Sequence, residues 1–412
     1  MTFSFVGIAA LAFATQIAGN ADQSDSTARL TLDRALALAE QYHPLLRSTA
    51  AQTDMARGGV LAAKSRPNPE FNFMSGHQSQ LQPSAVSGRL DHYGFAQPIE
   101  LPSVRKARIE AATLNRQSSE WAEADARLTV RAQVKQLFYE ALRRKGEVQL
   151  ARENLKTVED LERRIKVQVD VGEAARLELT RADAELATTR ALVRTAELGL
   201  NTSLATLRGA ISGPLEGAFD VEGSLDENTR LPSLEQLRVE VLARHPELRV
   251  AEIDVKAAGA ALKAEEMLRK PQPTWILEFE KMPDLTFFRT GVAISLPFWN
   301  RRQGQIAEAS ARVRHASALV TVRRLELTTA IETAYGEYET ANQLIASYQS
   351  GALREAEAAL NAAEAAFRFG ERGIIEVLDA QRLLRSVRLD YLNAQYNRQE
   401  ALIEIERLRT TS

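Results

Sequence analysis

Residues 273–300 read PTWILEFEKMPDLTFFRTGVAISLPFWN. In an extended chain Trp275, Leu277 and Phe279 fall on one side and Thr274, Glu278 and Glu280 on the other, with Ile276 the exception. After Pro283-Asp284 the alternation resumes. Phe288, Thr290, Val292, Ile294, Leu296 and Phe298 share one side; Arg289, Gly291, Ala293 and Ser295 share the other. A period of two with one apolar side predicts a strand pair. Strands of about 9–11 residues with aromatics at their ends have the length and pattern of tilted staves in a transmembrane β-barrel. On this reading Glu278, Glu280 and Arg289 face a watery lumen, while Trp275, Phe298 and Trp299 form the girdle at the membrane interface. Phe71 and Phe73, then Tyr93, Phe95 and Ile99, offer a weaker copy of the pair, joined by a polar connection from Gln78 to Arg89.

The copying extends to the whole chain. Leu32-Asp33-Arg34-Ala35 leads into His43-Pro44-Leu45-Leu46, as Leu234-Glu235-Gln236-Leu237 leads into His245-Pro246-Glu247-Leu248. Gly94-Phe95-Ala96 is answered by Gly291-Val292-Ala293, and Ser103-Val104-Arg105 by Asn300-Arg301-Arg302. Gly172-Glu173 with Leu177-Glu178-Leu179 is answered by Gly370-Glu371 with Ile375-Glu376-Val377. A period this long marks a duplicated half rather than a small-unit solenoid. The expected organisation is a leader over 1–21, a first repeat over 22–210, a joining segment over 211–232 and a second repeat over 233–409. Each repeat holds a helix, a strand pair (70–99 or 273–299) and a pair of long helices meeting in a turn near 172 or 370.

Those helices are too long for an ordinary globular domain. From Ser103 to about Asp170 there is no Pro and a single Gly, Gly146. Val130, Val134, Leu137, Phe138, Ala141, Val148, Leu155, Val158, Leu161 and Ile165 keep a helical period. The span predicts about 100 Å of helix, and Arg301 to Arg368 predicts the same in the second half. Each ends at a glycine turn, Gly172 or Gly370 with Gly373, where positive φ is accessible. Each returns as a shorter helix, Leu177 to Leu207 or Ile374 to Leu408. The return seam of Ala182, Leu186, Thr189, Val193, Ala196 and Leu200 is narrow and rich in small residues. A soluble antiparallel coiled coil does not account for the strand pairs, and a soluble α+β sheet does not account for the helices. The fold class is mainly α with a small β part.

The 412 residues carry a net charge of −2, which gives no sign of a nucleic-acid partner. There is no Cys, so thiolate metal sites, Cys nucleophiles, disulfides and a lipid-bearing N-terminal Cys are not expected. Phe3 to Ala14 resembles the apolar core of a secretory signal without its basic flank, since no Lys or Arg precedes Arg29. Later apolar runs are too short for a transmembrane helix. No cofactor or catalytic constellation is expected: GxxxxGK[ST] is absent and the five histidines form no close helical pair. His43 and His245 precede Pro and are assigned to turns. His77 and His92 lie in one hairpin, where approach would create a weak cation site. At the far turns Asp170, Glu173 and Glu371 would form carboxylate rings if several chains assemble around one axis, or else remain a solvated turn. Exposed Val171 and Phe369, with Gly172, Gly370 and Gly373 as backbone devices, are candidate contacts for a partner.

The ordered set resembles the TolC-type outer membrane factor family from about Arg29 to Leu408. Duplication, strand pairs and glycine-turned helix pairs carry the likeness. So do Leu30-Thr31-Leu32-Asp33-Arg34-Ala35-Leu36 and the run from Gly370 through Glu376-Val377-Leu378-Asp379-Ala380-Gln381. Within that family the opening segment and Gln97-Pro98-Ile99-Glu100-Leu101-Pro102 look like the outer-membrane component of cobalt–zinc–cadmium resistance pumps. The resemblance implies a homotrimer in which each chain gives four strands to one barrel in outer-membrane lipid, above a helical periplasmic tunnel. It also implies a periplasmic adaptor (membrane fusion) protein and an inner-membrane, proton-driven RND-type pump. The function expected from this resemblance is a passive exit duct of a tripartite efflux system for divalent heavy-metal cations; organic compounds and secreted proteins are the alternative cargo, because a wide duct need not recognise what the pump selects.

Overall fold

The His-Pro steps set the start of each half. The computed structural model describes residues 28–79, 86–215, 217–226 and 229–410; the expected leader and Pro83 lie outside these. A short strand β1 (Ala28–Leu30) precedes α1 (Leu32–Tyr42) and α2 (Pro44–Lys64). Pro44 stands at the first position of α2, where its missing N–H costs no hydrogen bond. The strands β2 (Glu70–Gln78) and β3 (Gly88–Pro98) lead into α3 (Pro102–Asp170) and α4 (Arg176–Ile211). After β4 (Phe219–Val221) the plan repeats as α5 (Leu234–Arg244), α6 (Pro246–Leu268), β5 (Pro273–Lys281) and β6 (Thr286–Ile294). The final helices are α7 (Gln303–Ser347), α8 (Leu353–Arg368) and α9 (Ile374–Arg409).

The long helix α3 has 69 residues, hence a length of about 100 Å. Its second-half counterpart is not one α-helix. A π-helical turn, Tyr348–Ala352, separates α7 from α8 and contains Gly351. There Tyr348 meets the Tyr391 ring edge-on and Gln349 donates to the Tyr391 hydroxyl at 2.9 Å. The added residue of a π turn lets both neighbours reach one partner on α9. The strands also run further than the polar connection suggested: β2 extends to Gln78 and β3 begins at Gly88. Ile99 lies just past β3, its N–H bonded to the Pro273 carbonyl at 2.9 Å.

The helices form one layer. Helix α3 is central and packs against α2, α4, α6 and α9, while α7 packs on α6 and α9 and α8 on α9. Three apolar clusters hold the layer. At mid-height Leu30, Val130, Val134, Phe138, Leu207, Ile211, Val221 and Ile403 meet, and β1 pairs in parallel with β4 on this cluster. The joining segment is thereby anchored at the midpoint of α3. A second cluster joins α5, α6, α7 and α9 through Leu237, Val241, Leu248, Ile331 and Ile405. A third, near the turns, joins both hairpins through Leu161, Ile165, Ala182, Ile374 and Val377. Ala182, Leu186, Thr189 and Val193 of the expected seam are buried.

Candidate functional site: an apolar sheet and a paired-turn tip

Four strands form one antiparallel sheet in the order β2-β3-β5-β6, so the two strand pairs are joined through β3 and β5. Register sorts the side chains. One cross-strand row is Phe73, Tyr93, Phe279 and Phe288; the next is Phe71, Phe95, Leu277 and Thr290; a third holds Gln97, Trp275 and Val292. Ring centroids of Phe73 and Tyr93 are 4.9 Å apart, and those of Tyr93 and Phe279 are 6.0 Å apart. This face is exposed although it is aromatic, which water does not favour. Beyond Phe279 the same face turns polar at Ser75, Asp91, Lys281 and Thr286. An apolar band that ends in a polar rim matches a bilayer boundary.

The opposite face carries the charges. Glu278 is paired with Arg289 and Glu280 with Phe287. The Arg289 guanidinium lies 3.4 Å from Glu278 and 2.7 Å from Glu280, with the Phe287 ring 5.8 Å away. Asn72 lies across Gly94, and its side-chain amide fills the space that a Cβ there would need. Trp275 stands in the sheet, its Nε1–H donating to Thr290 at 3.0 Å. Phe298 and Trp299 do not extend β6, which stops at Ile294. They lie in the link to α7, edge to face at 6.2 Å, with Trp299 92% exposed. His77 is opposite Arg89 and His92 is opposite Met74, which places the two imidazoles on opposite sides of the sheet. The cation site considered for them is not formed. Among the described residues no cluster of His, Asp and Glu has the arrangement of a metal site.

At the other end both long helices close with the same device. Gly172 and Gly370 have φ of +82° and +73°. Glu173 N–H bonds the Gln168 carbonyl at 2.7 Å, and Glu371 N–H the Ala366 carbonyl at 2.9 Å. With Gly172 to Val169 and Gly370 to Phe367, these are Schellman caps. Gly373 differs from the expectation. It is the N-cap of α9 in an extended conformation, φ −81°, and Ala175 does the same for α4. Val171 and Phe369 project at 65% and 78% exposure. Asp170, Glu173 and Glu371 are exposed. Arg176, Arg368 and Arg372 stand within a few residues of them, so the tip is mixed in charge.

Between these ends, α7 and α9 border a cavity of about 690 Å³ lined by Glu337, Glu400 and Glu404. Burial, then Glu337 and Glu140, hold the Glu400 carboxyl above the usual carboxylate range. Burial likewise raises Asp125, helped by Glu247. Sequence reasoning missed two polar devices. His43 and His245 each accept a backbone N–H through Nδ1, from Leu45 at 3.2 Å and Glu247 at 3.3 Å, and so cap α2 and α6. The His-Pro step at a helix joint is the signal that marks them. Buried Arg398 and Gln399 reach the Leu225 carbonyl at 3.3 and 3.1 Å, tying the joining segment to α9. Polar residues interrupting an apolar helix stripe were the trace they left.

A family model, outer membrane efflux protein, matches residues 35–213 and 237–409. The cobalt–zinc–cadmium resistance protein CzcC of Cupriavidus metallidurans is 26% identical over 381 residues, covering 92% of this chain and 90% of its own. The nickel–cobalt–cadmium resistance protein NccC of Alcaligenes xylosoxydans xylosoxydans is 24% identical over 334 residues, covering 81% and 74%. A crystal structure of CusC, described as forming a transmembrane channel, superposes with a TM-score of 0.81 at 18% identity, covering 96% of this chain and 95% of its own. No described helix is long and apolar enough to cross a membrane. The membrane-facing surface is the sheet, and the helices are the periplasmic extension. The duplicated halves, the one-sided sheet and the matched segments agree that this chain belongs to the outer membrane efflux protein family, whose place is the outer membrane.

Proposed function

We propose that three copies of this chain form the exit duct of a tripartite efflux assembly whose cargo is divalent heavy-metal cations. The carrying observation is the sheet: it has an exposed apolar face and two unpaired edges, β2 and β6. An open edge facing lipid leaves backbone N–H and C=O groups without partners, at several kcal/mol each in order of magnitude. Pairing β6 of one copy with β2 of the next around a threefold axis closes twelve strands and removes every edge. The helical layer fits the same axis, since Met55 and Leu61 on α2, Leu198 on α4 and Leu325 on α7 are left exposed. Inside the barrel Glu278, Glu280 and Arg289 face water, and Trp275, Phe298 and Trp299 lie at the girdle.

The tip turns are the proposed contact for a periplasmic adaptor through Val171, Gly172, Phe369, Gly370 and Gly373. An inner-membrane proton-driven RND-type pump supplies the energy. Opening separates the helix ends near Asp170, Glu173 and Glu371, a change between two packings. Metal cargo is supported by what CzcC and NccC are named for. Growth of a strain lacking this gene tests the cargo directly. Selective loss of zinc, cobalt and cadmium tolerance is expected; sensitivity to organic toxicants alone contradicts the metal assignment and leaves the duct.

A further inference from the structure

The junction between sheet and helices is built twice, and the two copies differ in charge. Arg105 and Arg302 occupy the same repeat position. Arg302 is neutralised, with its guanidinium donating to Glu265 at 2.6 and 2.9 Å. Arg105 is not. The repeat places Ala63 where the second half has Glu265. Arg105 donates instead to the Lys64 carbonyl at 2.7 Å, and its Nε is buried without a partner.

Arg105 lines a cavity of about 860 Å³ together with Arg66 and Lys106. Among the described residues none of these three cations has a carboxylate within ion-pair distance. Glu100 also lines the cavity, but it is held by Arg108 at 2.9 Å. Three uncompensated cations around a cavity favour an anion, and a guanidinium with a free N–H suits phosphate oxygens. The α3 N-terminus at Pro102 adds its positive dipole end.

The height of the cavity selects the anion. Gln97 lines it and shares a cross-strand row with Trp275 on the apolar face of the sheet. Ile99, also lining it, is exposed beside that row. The cavity therefore adjoins the helical end of the apolar band, the level at which a leaflet presents its headgroups. We propose that it binds the phosphate of an anionic phospholipid of the periplasmic leaflet, with Arg66, Arg105 and Lys106 as the anion's ligands and Ile99 against the glycerol and upper acyl chain. The first half thus holds lipid with charge, where the second half uses Phe298 and Trp299.

Native mass spectrometry of the purified full-length protein in detergent, with added phosphatidylglycerol, tests this. Retention of up to one phosphatidylglycerol per chain is expected, with zwitterionic phosphatidylethanolamine held more weakly. Arg105→Gln with Lys106→Gln weakens retention by about fivefold per cation removed, while Arg105→Lys keeps most of it. Ala63→Glu copies the neutralising carboxylate of the second half and abolishes retention without deleting a cation, while the neutral Ala63→Gln, of equal size at this buried position, keeps it, which separates charge from packing damage. Equal retention by the wild type, the double variant and Ala63→Glu overturns the proposal. Displacement of the lipid by millimolar inorganic phosphate assigns the site to the free anion and overturns the lipid source.

Discussion

The two halves share one backbone plan and spend it differently. Both break a helix at a His-Pro step, and both end a long helix with a left-handed glycine. Yet α3 is continuous where α7 and α8 are separated by a π turn. His43 is half-buried, whereas His245 is 1% exposed. Arg302 is ion-paired, whereas Arg105 is not. Duplication has kept the devices that set chain direction, because a displaced turn would misplace about 100 Å of helix. Side chains around those devices were free to diverge, and the divergence marks where one half does something the other does not.

The sharpest break between regions is across the sheet. Val292→Lys on the apolar face costs about 2–4 kcal/mol per chain at mid-depth, repeated in every copy, and is expected to abolish stable assembly. Glu278→Gln on the charged face is expected to leave it intact. Yields of the assembled protein after outer-membrane extraction check the pair, and equal yields would dissolve the distinction between faces.

The histidines give the next contrast. Burial, then Arg407, holds His245 down at about 4. Between that value and 6.5 the unfolded chain binds a proton that the folded chain refuses. His245 therefore costs nothing above pH 6.5, and acidification through the window toward pH 4 costs on the order of 3 kcal/mol per chain. Its Nε2 has no partner to stabilise the charge. Denaturant midpoints measured from pH 7 to 4 should fall less steeply in His245→Gln than in the wild type, and equal slopes would contradict the cost assigned to this buried imidazole.

Glycines separate the tips from their neighbours. Gly172→Ala and Gly370→Ala each force a Cβ into left-handed backbone, at about 1–2 kcal/mol. Gly373→Ala should be close to neutral, because its backbone is extended and a Cβ would meet only contacts of 3.7 Å. Thermal unfolding of the three variants ranks them. The smallest effect belongs to the tip carboxylates. Asp170→Asn, Glu173→Gln and Glu371→Gln together should lower cation preference in a planar bilayer modestly, since Arg176, Arg368 and Arg372 already offset them. Unchanged selectivity would leave these acids as solvated turn residues.

Much of this was legible in the sequence. Period-two alternation placed Trp275, Leu277 and Phe279 on one face and Glu278, Glu280 and Arg289 on the other, because strand geometry allows no other sorting. The positions of Gly172 and Gly370 announced the ends of the long helices. The π turn was not legible, since it depends on Tyr348 and Gln349 meeting Tyr391 more than forty residues away. Gly373 was misread because glycine identity alone does not report φ. The His77–His92 approach failed for a similar reason: hairpin register fixes which side each residue faces, and register was set by residues outside the pair.

The central claim is that β6 of one copy pairs with β2 of the next. The chain contains no cysteine, so introduced pairs report without background. Phe288→Cys on β6 combined with Phe71→Cys or Phe73→Cys on β2 should give, under mild oxidation in outer membranes, a covalent trimer on non-reducing gels. Each single variant should run as monomer. Failure of every such pair to yield a species larger than one chain, in protein that reaches the outer membrane, would contradict the shared barrel.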